Sequence, residues 1–186
     1  MQHKAMKFST RAKVVTSAAV LAALGTGVVG AVSASADTPA VVPAALKGKT
    51  TTTSTHLTVD AATDAARAAL DAAEKAGQRV TVAVVDRNGN TIVTLRGDGA
   101  GPQSYESAIK KAYTAVSWNA PTSELAKRLE NTPNLKDIPG TLFLAGGAPV
   151  AYREAPVAAV GVAGAPSGDL DEQFARAGVA ALSNGR

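Results

Sequence analysis

Between Thr58 and Gln78 the polar positions recur every third or fourth residue: Asp60, Asp64, Arg67, Asp71, Glu74 and Gln78 form one stripe, and Ala62, Ala65, Ala66, Ala69 and Ala73 the opposite one. That period predicts a helix over 58–76 whose alanine face lies close on a sheet. Thr58 suits its N-cap and Gly77 the left-handed residue that ends it. The period then shortens to that of a strand. Val80–Val85 and Thr91–Leu95 are β-branched runs around Asp86-Arg87-Asn88-Gly89-Asn90, which reads as a hairpin. Helical spacing returns over 104–117 and, with Thr122 as cap after Pro121, over 122–130. In the first of these, Tyr105, Ala108, Ile109, Ala112 and Val116 share the face assigned to the core, with Tyr113 on or beside it. Ser107, Lys110, Lys111 and Thr114 are expected to point outward. Three strand-like runs follow, 141–145, 149–152 and 157–162, with Gly146-Gly147 joining the first two. A last helix from Asp169, capped by Ser167, has the apolar stripe Leu170, Phe174, Ala177 and Ala181; Asp169, Asp171 and Glu172 fall in its first turn, where they complement the helix dipole. The order αββααβββα with short connections predicts an α+β fold: a single antiparallel sheet of about five strands with packed helices.

The first 36 of the 186 residues read differently. Lys4, Lys7, Arg11 and Lys13 precede an apolar run from Val14 to Val32 and the small-residue triplet Ala34-Ser35-Ala36. This is the pattern of a secretory signal peptide, so the expected organisation is signal peptide 1–36, flexible tether 37–56 and folded domain 57–186. The expected location is extracellular, with no membrane insertion once the signal is cleaved. The signal holds four of the nineteen basic residues and none of the fifteen acidic ones, so the net charge of +4 belongs to it and the mature chain carries fifteen of each. A nucleic-acid partner, which needs a basic stripe on the working domain, is excluded on that ground.

Cleavage also removes both Met residues and His3, leaving no Cys, no Met and a lone imidazole, His56. Disulfides and thiolate, thioether or multi-histidine metal sites are thereby excluded. Nucleophilic hydrolysis is set aside, because His56 is the sole candidate base and lies at the end of the tether. The stretches GDGAGP and AGGAP lack phosphate-loop spacing and read as turns.

The blocks VAVVDRNGN, SYESAIKKAYTAVS, PTSEL, IPGTLFLAGGAPV and VGVAGAPSGDLDEQFARAG, in order over roughly 57–182, resemble the HbpS/GlcG family. The resemblance implies a profilin-like fold. For the family's secreted actinobacterial branch it implies a homo-octamer that binds haem outside the cell and reports haem or oxidative-stress status to a membrane sensor kinase by two-component sensing. It also implies at most a haem-degrading activity dependent on bound haem, and assigns no catalytic residue. A threonine that holds the haem iron maps, by the AYTAVS block, to Thr114. Lys110 and Lys111, on the same expected face, suit the propionates, and Trp118 would cover part of the ring. A hydroxyl is a weak ligand beside His, Cys, Met or Tyr, so an outward site of this kind would need a second subunit to enclose the porphyrin. The family further implies iron-ion binding by surface acidic motifs, which fits the Asp71-Ala72-Ala73-Glu74 pair with its hard oxygen donors. Solvation, with Arg67–Asp71 and Asp71–Lys75 as i,i+4 pairs, is the other reading of those carboxylates. His56 is either a contributor to surface iron binding or an exposed terminal residue. A cobalamin or other corrinoid-binding module, and an interaction protein whose ligand site is vestigial, stay open as alternatives. A role near hydroxyacid oxidation is disfavoured by the export signal.

Overall fold

Alanine and valine set the layer spacing. The computed structural model describes Ala45 and residues 48–183; the expected signal peptide and half of the expected tether lie outside the described residues. The main elements are α1 (Val59–Lys75), β1 (Thr81–Asp86), β2 (Thr91–Arg96), α2 (Pro102–Trp118), α3 (Thr122–Lys127), β3 (Gly147–Tyr152), β4 (Ala155–Ala163) and α4 (Gly168–Ser183). Short 3-10 turns occupy Gly48–Thr50, Arg128–Glu130 and Pro133–Asp137. The strands form one antiparallel sheet in the order β2-β1-β4-β3. The fold class is α+β, as the alternation of periods predicts.

Local chemistry starts and stops these elements as expected. The Thr58 side chain accepts the Ala61 N–H at 3.2 Å, and Gly77 takes the left-handed conformation at φ 70°. The strands alternate. Val80, Val82, Val84, Val160 and Val162 turn to the alanine face of α1 and to Phe174 and Ala175 of α4, while Ala83, Val85, Ala159 and Ala163 turn to α2. Helices therefore cover both faces of the sheet. The α2 layer is close because Gly161 leaves room for it: a Cβ there would lie 2.1 Å from the Ala108 carbonyl oxygen.

Three expectations are corrected. Residues 141–145 are not a strand, so the sheet has four strands. Instead of joining a ladder, the Leu142 N–H donates to the Thr114 hydroxyl at 2.8 Å, and Phe143 inserts beside Leu125 and Trp118. On α2 the buried face is rotated from the expected one. Tyr105 is 47% exposed, whereas Ser104 is buried with its hydroxyl 2.7 Å from Thr81 Oγ1 and donating to the Gly101 carbonyl. A polar residue holds a core position when its hydrogen bonds are met, and a hydrophobic wheel misses that. On α4, Asp171 and Glu172 are buried with Phe174, Ala175 and Gly178, while Leu170, Ala177 and Ala181 are half-buried.

Candidate functional site

Thr114 sits in the fourth turn of α2, and it does not face outward. It is fully buried, its hydroxyl donating to the Lys110 carbonyl at 2.7 Å and accepting from Leu142 N at 2.8 Å. That bond ties Leu142 to α2, beside the packing of Phe143 on Trp118. Lys111 is likewise buried rather than surface-facing. Its Nζ lies 2.8 Å from Asp171 Oδ2 and donates to the Val162 carbonyl at 3.1 Å. Glycines make that possible, since a Cβ at Gly146 would meet Nζ at 2.7 Å. Burial pushes the Asp171 carboxyl above its ordinary value, outweighing the Lys111 hydrogen bond and charge.

Lys110, by contrast, stays accessible and loosely paired with Glu106 at 3.4 Å. Trp118 is half-buried and packs edge-on against Phe143 with ring centroids 5.3 Å apart, in a small apolar cluster with Ala120 and Leu125. The four expected haem contacts thus separate. Lys110 presents a cation shared with Glu106 at the surface, Trp118 lies half-buried against Phe143, and Thr114 and Lys111 are engaged within the fold.

Sequence reasoning missed the polar network behind them. Glu172 accepts from Ser123 N at 2.9 Å, from Ser123 Oγ at 2.8 Å and from Arg176 at 2.7 Å. Thr122 Oγ1 accepts the Gly147 N–H at 2.7 Å. Burial raises the Glu172 carboxyl, but the Arg176 and Ser123 bonds and the Arg176 charge hold it below its ordinary value. These groups fasten α3 to the start of β3 and to α4. A cavity of about 400 Å³ opens beside them, walled by Leu144, Ala145, Ala165 and Ser167 with the Lys111–Asp171 pair at its side.

Asp71 and Glu74 lie on the outer face of α1, and the ion pairs among the described residues engage neither of them. Glu74 lines a polar depression of about 480 Å³ with Arg79 and Asp98. Among the described residues no group of three or more His, Cys, Asp or Glu side chains is placed to hold a metal ion. His56 is exposed, with its Nδ1 3.7 Å from Asp86 Oδ2 and its Nε2 2.7 Å from Ser54 Oγ. No described helix is long and apolar enough to cross a membrane.

A four-stranded antiparallel sheet between α2 on one face and α1 with α4 on the other defines a small three-layered α+β class of domain. Residues 57–180 match the family described as haem-degrading protein HbpS-like, and the chain belongs to that family. It is similar to the Streptomyces reticuli HbpS glutamate-to-aspartate double mutant, with 74% identity over 77% of this chain and 99% of that one and a TM-score of 0.76. A second HbpS crystal structure is 76% identical over 75% of this chain and 99% of the other, with a TM-score of 0.74. The PduOC:heme complex is a more distant likeness, 26% identical over 68% of this chain and 95% of that one, with a TM-score of 0.63. No curated protein matches the chain.

Proposed function

We propose that this protein binds haem outside the cell, works as a homo-octamer, and passes haem or redox status to a membrane sensor kinase. Membership of the HbpS-like family carries the reading, and a relative solved in complex with haem supports it. Haem degradation, where it occurs, depends on the bound haem, because the chain's own residues supply no assigned acid or base for it. When bound, the haem supplies the iron redox chemistry.

The residues fit this group only in part. Lys110 is free to pair with a propionate, and Trp118 offers an edge to the ring. Lys111 is withdrawn from that role by Asp171. Thr114 is kept as the oxygen donor on one condition. Thr114 is fully buried beneath Leu142, whose N–H its hydroxyl accepts, so segment 138–146 must move aside before iron can reach it. The cavity that encloses the porphyrin is then completed by another subunit.

Hemin titration of the wild type, Thr114→Ser and Thr114→Val tests this, followed by size-exclusion chromatography. The expected result is a Soret shift in the wild type and Thr114→Ser, and a weakened or altered band in Thr114→Val with assembly intact. An unchanged band in Thr114→Val removes Thr114 as ligand. The absence of any Soret shift in the wild type defeats the haem reading, and displacement of haem by cobalamin would favour a corrinoid module. Iron ions are a second ligand on the same reading. The unpaired Asp71 and Glu74 carboxylates, one helical turn apart, are the proposed donors, with His56 as a further one. Loss of ferric-ion binding in Asp71→Asn/Glu74→Gln is the check.

A further inference from the structure

Residues 141–145 run between two glycines of positive φ, Gly140 at 81° and Gly146 at 133°. Glycine adopts such angles at little cost and leaves them as readily. Each sits at a fixed point of the fold. A Cβ on Gly140 would lie 3.6 Å from the Tyr113 ring, and the Gly146 carbonyl accepts the Val162 N–H at 2.8 Å. Between them the attachment is slight. Among the described residues, one hydrogen bond leads from 141–145 to another element, the Leu142 N–H donating to the Thr114 hydroxyl at 2.8 Å. Thr141 bonds back to the Ile138 carbonyl through both its N–H and its hydroxyl. The other anchor is Phe143, which is 5% exposed and packs on Trp118 beside Ala120 and Leu125, whereas its neighbour Leu144 is 57% exposed. A stretch held by one ring and one hydrogen bond is a unit of low local stability, which opens without global unfolding.

We propose that residues 141–145 form an autoinhibitory gate, hinged at Gly140 and Gly146 and latched by Phe143, which must open for haem to reach Thr114. The inference rests on the haem reading and adds the regulation of its site. The two anchors cover the two groups that reading needs: Leu142 lies on the Thr114 hydroxyl, and Phe143 packs on Trp118. Because the covering residues are consecutive, one swing about the glycines uncovers both groups together. The closed form seen here competes with the ligand, and the open form is the one that binds. Apparent haem affinity is then the intrinsic affinity reduced by the open fraction, so whatever loosens Phe143 strengthens and speeds haem uptake.

The chain contains no cysteine, so one introduced thiol reports opening without haem. Thr114→Cys places it beneath the gate. Val84→Cys, fully buried on the α1 face of the sheet, is reached through global unfolding. Each variant is treated with a chromogenic aromatic disulfide, and the rate of thiol reaction is followed by absorbance. Thr114→Cys is expected to react at least about tenfold faster than Val84→Cys, as local opening requires. Adding Phe143→Ala should speed Thr114→Cys about tenfold further and leave Val84→Cys unchanged, and the same change in the otherwise wild-type chain should raise the hemin association rate by a similar factor. Phe143→Leu keeps an apolar latch and should give a smaller acceleration, and it carries the test if Phe143→Ala exposes Val84→Cys as well. Equal labelling rates at the two positions overturn the gate, whatever hemin does. Selective labelling at Thr114→Cys with hemin association unchanged by Phe143→Ala overturns its control of haem access. Selective labelling with no Soret shift in any variant keeps the gate and defeats the haem reading instead.

Discussion

Lys111 carries a charge into a place where charge is costly, and its partner does not make the burial favourable. Asp171 has its carboxyl pushed up by burial in spite of an ammonium at 2.8 Å, so desolvation exceeds attraction within the pair, a common balance for buried ion pairs. Removing one member is a different matter, because it strands the other. Lys111→Met is expected to destabilise the fold by about 3–5 kcal/mol, measured by urea unfolding. Lys111→Met with Asp171→Asn should recover most of that, since Asn removes the stranded charge and keeps an acceptor for the Ala165 N–H, now bonded at 2.9 Å. If the double variant is as unstable as the single one, the pair is a net stabiliser. The destination of Lys111 was not legible in the sequence, because its partner lies 60 residues away. A lysine beside Lys110 on an amphipathic helix reads as solvated, and an aspartate in a first helical turn reads as a dipole complement. Thr114 was hidden for the same reason: a hydroxyl satisfied by a distant Leu142 N–H looks, by spacing alone, like an outward one.

Elements whose signal is local were readable, and those whose partners are remote were not. The hairpin β1–β2 announced itself through β-branched runs around Asn88-Gly89, and α1 through an alanine stripe that is buried in full at Ala62, Ala65, Ala66, Ala69 and Ala73. Residues 141–145 failed as a strand because β-propensity there competes with a side-chain acceptor on another element, and the acceptor won. The closeness of α2 to the sheet is also a pairwise property. It rests on Gly161, whose missing Cβ would lie 2.1 Å from Ala108 O and 2.6 Å from Ala112 N. Backbone atoms cannot turn aside as a flexible side chain can, so the helix itself must shift. Gly161→Ala should therefore cost about 1–3 kcal/mol, the range for overpacking, read as a lowered urea midpoint. Gly48→Ala, where nothing lies within 4 Å of the added Cβ, is the control, and equal midpoints for the two variants would refute close packing of α2 on β4.

At the scale of the whole molecule, the buried carboxylates make stability respond to acid in opposing directions. Glu172 and Asp86 are held below their ordinary values of 4.5 and 3.8. Their contributions are fully present above those values and are lost as pH falls through the lower folded ones. Asp171 is raised, so its contribution is present below 3.8 and is lost as pH rises through the folded value. Glu172 ties α3 and α4 together through Ser123 and Arg176, so its protonation loosens the end of the fold beside the start of β3. Segment 138–146 meets the same carboxylate, with Gly146 N 3.5 Å from Glu172 Oε2, so the release that the proposed Thr114–iron contact requires is expected to become easier as acid loosens this end. Unfolding free energy measured against pH should fall steeply below 4.5 in the wild type. Glu172→Gln, which keeps an acceptor for Ser123 and gives up the charge, should be less stable at neutral pH and lose less on acidification. Parallel acid limbs for the two proteins would show that Glu172 stays ionised throughout, and that the acid response arises elsewhere in the molecule.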